Sequence, residues 1–178
     1  SGLLHFAADG VLLRQTGGFP DPFCVSVNPS DGSCWMLDGT ECIGWEGWEP
    51  TREGAALHLD KDGAELLRVP LALGLWYCCP TSALAVNPRD GSCWVGEPYT
   101  GQLMHLAQDG TELWRGGYNG PLSLNPSDGS CWVFDGSANK VVHLGQDGAE
   151  LWRGGCFCAV TSVSVNPTDG SCWVADAG

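Results

Sequence analysis

Asn125-Pro126-Ser127-Asp128-Gly129-Ser130-Cys131-Trp132 is the stretch on which the fold turns. Its first five residues spell a tight turn. Proline presets φ, Asp128 hydrogen-bonds its own backbone, and Gly129 supplies φ > 0. The phrase occurs four times, starting at Asn28, Asn87, Asn125 and Asn166. A second phrase, a histidine leading into Asp-Gly, also occurs four times: His5 to Gly10, His58 to Gly63, His105 to Gly110 and His143 to Gly148. The Asn positions are 59, 38 and 41 residues apart, and counting on from Gly178 to Ser1 gives a last interval of 40. The pattern closes on itself.

Each unit reads as four short strands. Alternation such as Val163-Ser164-Val165 leads into the first turn, and Cys172-Trp173-Val174 leads out of it, both rich in β-branched or aromatic residues. A third strand, Val141 to Leu144, turns through Asp147-Gly148 into a fourth, Ala149 to Arg153. No segment keeps a 3.6-residue period over ten residues, which excludes a solenoid of helix pairs. Four antiparallel strands in about 40 residues, repeated, predict an all-β chain: a β-propeller of four blades. The expected single domain, 1–178, divides into blade 1 at about 23–69 with an insertion at 39–56, blade 2 at about 82–116, blade 3 at about 120–154, and blade 4 at about 160–178 plus 1–16.

The chain resembles the NHL-repeat family of β-propellers. The resemblance rests on the turn Asn125 to Gly129, the strand Trp132-Val133-Phe134-Asp135, the run Gly136 to Val142, and Trp173-Val174-Ala175-Asp176-Ala177-Gly178 in the fourth unit. It implies the propeller fold. For function it implies a range, because the family spans binding scaffolds, interaction modules and a few lyases. A metal-dependent lyase or hydrolase is the activity it brings with it. The chain departs from the family in carrying four units rather than about six, and in placing a Cys before every blade Trp.

One blade is split between the two ends of the chain, between its second and third strands. Latching of the two halves within one chain is the first expectation, because its effective concentration is large. Donor-strand exchange between neighbouring molecules is the alternative, giving a ring or a filament.

Composition narrows the function. Lys plus Arg is 8 against 21 Asp plus Glu, a net charge of −13, which repels phosphate backbones and anionic membranes. The longest apolar stretch, Leu71 to Cys79, is nine residues, far short of the ~20 of a membrane span. Ten cysteines (Cys24, Cys34, Cys42, Cys78, Cys79, Cys93, Cys131, Cys156, Cys158 and Cys172) show no CxxC zinc spacing. They point to an oxidising, extracellular setting with disulfides of undetermined pairing; buried reduced thiols are the alternative. Ser1-Gly2-Leu3-Leu4 is neither a signal peptide nor a start, so a mature or excerpted chain is expected.

Few residues stand out for chemistry. His5, His58, His105 and His143 share one repeat position on the third strand, away from a propeller axis, which favours a repeated structural hydrogen bond over a metal ring. Trp35, Trp94, Trp132 and Trp173 are equivalent and suit packing between blades. Trp45, Trp48 and Trp76 break the symmetry and are the candidates for contact with a ligand or subunit. Asp60-Lys61-Asp62-Gly63 reads as a hairpin turn rather than a calcium loop. No catalytic signature such as GxSxG or HExxH is present. The reading is thus a non-enzymatic, extracellular building block without cofactor, partnered by its own copies or by another extracellular protein or glycan. A monomeric glycan- or small-ligand-binding propeller using Trp45 and Trp48 is the alternative.

Overall fold

The computed structural model describes residues 2–39, 53–72, 84–97, 100–118 and 120–178, and every regular element among them is a strand. An N-terminal hairpin pairs β1 (Gly2–Phe6) with β2 (Leu12–Gly17). Three four-stranded antiparallel blades follow. The first is β3 (Asp21–Val27), β4 (Cys34–Gly39), β5 (Glu53–Leu59) and β6 (Glu65–Ala72). The second is β7 (Leu84–Val86), β8 (Cys93–Glu97), β9 (Gln102–Leu106) and β10 (Glu112–Gly116). The third is β11 (Leu122–Leu124), β12 (Cys131–Asp135), β13 (Lys140–Leu144) and β14 (Glu150–Gly154). A last hairpin pairs β15 (Val160–Val165) with β16 (Cys172–Asp176).

The repeated turn works as its residues dictate. In the third blade, Asn125 N donates to Ser130 O at 2.7 Å and Gly129 N to Asn125 O at 2.8 Å. The side chains finish the job: Asn125 Oδ1 accepts from Ser127 N (3.1 Å) and Asp128 Oδ1 from Ser130 N (2.9 Å). Gly129 sits at φ 78°, a conformation that a residue with a Cβ adopts only under strain.

Packing lies between blades. Successive side chains of β12 point to opposite faces. Cys131 and Val133 join Trp94 and Leu103 of the preceding blade, while Trp132 and Phe134 pack toward Val160 and Val163 of the hairpin that follows. Both faces are covered, so the strand Cys131-Trp132-Val133-Phe134 is apolar throughout. A matching layer holds Trp35 and Leu37 against Val86, Cys93 and Val95. The innermost strands meet in the order β3, β7, β11, β15, which is the fan of a propeller.

Closure within the chain, the first expectation, is corrected by this geometry. The hairpins β1–β2 and β15–β16 are two separate two-stranded sheets, and β16 is hydrogen-bonded on one side only, to β15. Among the described residues no strand pairing joins β15–β16 to β1–β2. The result is an open fan: half a blade, three blades, half a blade.

Candidate functional site

The two repeated phrases meet across the middle strand pair of each blade. Trp35 lies opposite His58, Trp94 opposite His105 and Trp132 opposite His143. Their rings stack at centroid separations of 4.9, 4.4 and 4.4 Å with planes within 6°. Burial holds all three histidines below the ordinary imidazole value, partly offset at His58 by the backbone of Gln108 and at His105 by Asp90 and the backbone of Gln146. They are neutral at pH 7. The His105 Nε2 and the Ser92 hydroxyl are 2.9 Å apart, and that hydroxyl donates to Asp90 at 2.6 Å.

The indoles reach one blade further. Trp35 Nε1 donates to Gly91 O and Trp132 Nε1 to Gly170 O, both at 3.2 Å; each acceptor is the turn glycine of the next unit. On the outer edge, the turn between third and fourth strands rests on the fourth strand of the preceding unit. Gly148 lies so close to Trp114 that a Cβ would overlap the indole, and Gly110 lies in the same way on Leu67 and Val69.

A third repeated feature was not read from the sequence. Arg153 bridges Glu150 (2.9 Å) and the buried Asp135 (2.6 Å), and Arg115 bridges Glu112 (2.7 Å) and the buried Glu97 (3.1 Å). Burial opposes ionisation of Asp135, but hydrogen bonds from Ser137 and Arg153 outweigh it and leave the carboxyl below its ordinary value. The signal was available as Glu-x-x-Arg on the fourth strand of each complete blade, Glu65 to Arg68 included. These pairs pin the outer strands to the inner ones.

Cys34, Cys93, Cys131, Cys156, Cys158 and Cys172 are free thiols. Cys34, Cys93 and Cys131 are buried at one position of successive blades, where each packs as a small apolar side chain. Burial pushes the Cys93 and Cys131 thiols well up, Cys172 adding to the effect at Cys131. Cys42, Cys78, Cys79, Trp45, Trp48 and Trp76 lie outside the described residues. Among the described residues, no three His, Cys, Asp or Glu side chains converge as a cation site.

The open ends break the pattern. Trp173 on β16 is 77% exposed, although Trp35 and Trp94 at the same repeat position are fully buried. Its register partner by the repeat is His5 on β1, also exposed. A cleft of about 270 Å3 opens between β1–β2 and β3–β4, lined by His5, Arg14, Val25, Val27, Gly32 and Cys34.

No protein-family model matches the chain, and no curated protein matches it. Solved structures do. BamB from Moraxella catarrhalis is 16% identical at a TM-score of 0.58, over 88% of this chain and 49% of that one. Kuenenia stuttgartiensis hydrazine synthase is 15% identical at 0.58, over 86% and 41%. The WD40 repeats of RRP9 are 13% identical at 0.58, over 84% and 43%. The chain therefore spans a little under half the length of these structures. Blades of four antiparallel strands, fanned around their innermost strands and superposing on such structures, make this an all-β chain of the β-propeller type.

Proposed function

We propose that the chain is a non-enzymatic structural or interaction protein of the extracellular space, a propeller unit that assembles head to tail through its divided blade. The observation that carries this is the pair of open edges. The last hairpin ends on β16 with an unpaired edge and an exposed indole, and the first begins on β1 with an exposed histidine. Open strand edges are templates for pairing, and these two are the complementary halves of one repeat. The conspicuous histidines support a structural reading, since three of the four are spent in stacks with tryptophan. The count of ten cysteines is what points to the extracellular setting, and the lysine-poor, repeat-rich design supports a building block. The NHL-type phrasing of the repeats is compatible with such a scaffold.

Light scattering on the native, unreduced protein tests the proposal. Assembly requires a mass above the 18.8 kDa of one chain. A mass of 18.8 kDa that persists at high concentration would refute it.

A further inference from the structure

A buried carboxyl stands near the end of the second strand in each complete blade: Asp38, Glu97 and Asp135, none more than 5% exposed. The register sets Asp38 opposite Ala55, Glu97 opposite Gln102 and Asp135 opposite Lys140. In the second and third blades the fourth-strand arginine satisfies the carboxyl, its Nη1 donating to Glu97 at 3.1 Å and to Asp135 at 2.6 Å. Gln102 joins in the second blade, its Oε1 accepting from the same Nη1 at 2.6 Å.

The first blade leaves this bridge open. Arg68 donates through Nε and Nη2 to Glu65, at 3.0 and 2.8 Å, and its Nη1 has no partner among the described residues. Asp38 Oδ1 accepts from Asp21 N at 2.9 Å, and among the same residues Oδ2 accepts from none. Burial pushes the Asp38 carboxyl above its ordinary value, which the Asp21 N–H and Arg68 only partly offset, whereas Asp135 with its arginine lies below. Ala55 stands in the place of Gln102 and Lys140 and is too short to fill it. A pocket of about 210 Å3 opens there, with Asp38, Arg68, Gly54, Ala55, Pro20 and Pro70 in its walls.

We propose that this pocket binds a neutral hexopyranose, held at two vicinal hydroxyls. One hydroxyl accepts from Arg68 Nη1 and its neighbour donates to Asp38 Oδ2, which restores the bridge that the other blades make directly. Both are hydrogen bonds to a charged group, the stronger kind. Asp38, Asp21 and Glu65 outnumber Arg68, so an anionic ligand is repelled, and a cation is set against the guanidinium. Pro20 and Pro70 present ring faces without an N–H to the C–H groups of a sugar. The volume is the liquid share of about seven waters, room for one hexose ring. All of these residues lie in or beside the first blade, so the site stands whether or not the chain assembles.

Methyl α-glucoside, methyl α-mannoside and methyl β-galactoside are titrated into isotope-labelled protein, followed by the nuclear magnetic resonance signals of the Asp21, Gly39 and Gly54 amides. At the efficiency usual for small ligands, a ring of about a dozen non-hydrogen atoms gives a Kd of about 1 mM. Saturation by at least one glycoside at that level is expected. Ala55→Gln, which places the side chain of Gln102 at the equivalent point of the first blade, is expected to abolish it with circular dichroism unchanged. Arg68→Gln alters a side chain that is 44% exposed, which leaves the interior intact, and weakens binding by about tenfold or more. Failure of all three glycosides to bind overturns the proposal, as does binding that both variants leave unchanged. Acetamide saturating the site where no glycoside does overturns the sugar in favour of a carboxamide, and a preference for methyl α-glucuronide overturns the neutral ligand.

Discussion

Replacing Trp94 and Trp173 by alanine compares one repeat position in two surroundings. Trp94 is fully buried, stacked on His105 at 4.4 Å and tilted against Trp114 at 5.6 Å. Its truncation leaves a cavity between two blades and costs about 3–5 kcal/mol. Its Nε1 has no hydrogen-bond partner, so no polar contribution is added. Trp35→Ala forfeits in addition the bond to Gly91, worth about 0.5–1.5 kcal/mol. Trp173 has little to lose within one chain, and its truncation stays within about 0.5 kcal/mol. The comparison is made at low protein concentration, so that any association does not contribute. Urea unfolding followed by far-ultraviolet circular dichroism gives the midpoints. For a chain of this length about 3–5 kcal/mol corresponds to a fall of about 6–20 °C in Tm. If Trp173→Ala proved as costly as Trp94→Ala, Trp173 would be buried within its own chain, and the open fan would be wrong.

Two further outcomes follow from burial. His58, His105 and His143 are held neutral in the folded chain, whereas the unfolded chain takes up protons near the ordinary value of about 6.5. Their folded values are depressed, so stability is full above that pH and declines as the pH falls toward the folded values, by at most about 1.4 kcal/mol per unit for each histidine. Urea midpoints at pH 7.5, 6.5 and 5.5 check the slope, and His143→Phe should flatten it; midpoints indifferent to pH would contradict it. The thiols give the second outcome. Exposed Cys156 and Cys158 should be alkylated within minutes in native buffer, whereas Cys93 and Cys131 should react only on unfolding, as read by peptide mass spectrometry.

What was legible in the sequence was local. Asn-Pro-x-Asp-Gly fixes a hairpin by the conformational preferences of five residues, and four copies of it reveal both the blades and the divided one. The stacking of Trp on His was written there too, as a constant separation of eleven residues from Trp94 to His105 and from Trp132 to His143. It became visible only once the strands were in register. The bridging of Asp135 by Arg153 depends on the same register, because β12 and β14 are separated by β13. Closure was not legible at all. Whether β15–β16 returns to β1–β2 depends on the angle between blades. No turn residue reports that angle. Cysteine pairing was not legible for a related reason: a disulfide needs two sulfurs brought together, and the repeat sets Cys34, Cys93 and Cys131 on successive sheets.

In the proposed assembly the fourth blade is parted between its tryptophan and its histidine, which would make the joint selective. Backbone pairing alone would let β16 accept any free strand, including another β16. An antiparallel pairing of β16 with itself would set two tryptophans with no histidine to stack on and no turn glycine to receive either Nε1. Pairing with β1 in the register of the complete blades sets Cys172 opposite Phe6, Trp173 opposite His5 and Asp176 opposite Gly2, and brings the cleft with it. Two chains that each carry a net charge of −13 also repel one another, so the attraction has to be local and geometrically fitted to win. A buried indole with one hydrogen-bond acceptor and one stacking partner meets that condition, and a generic sheet edge does not.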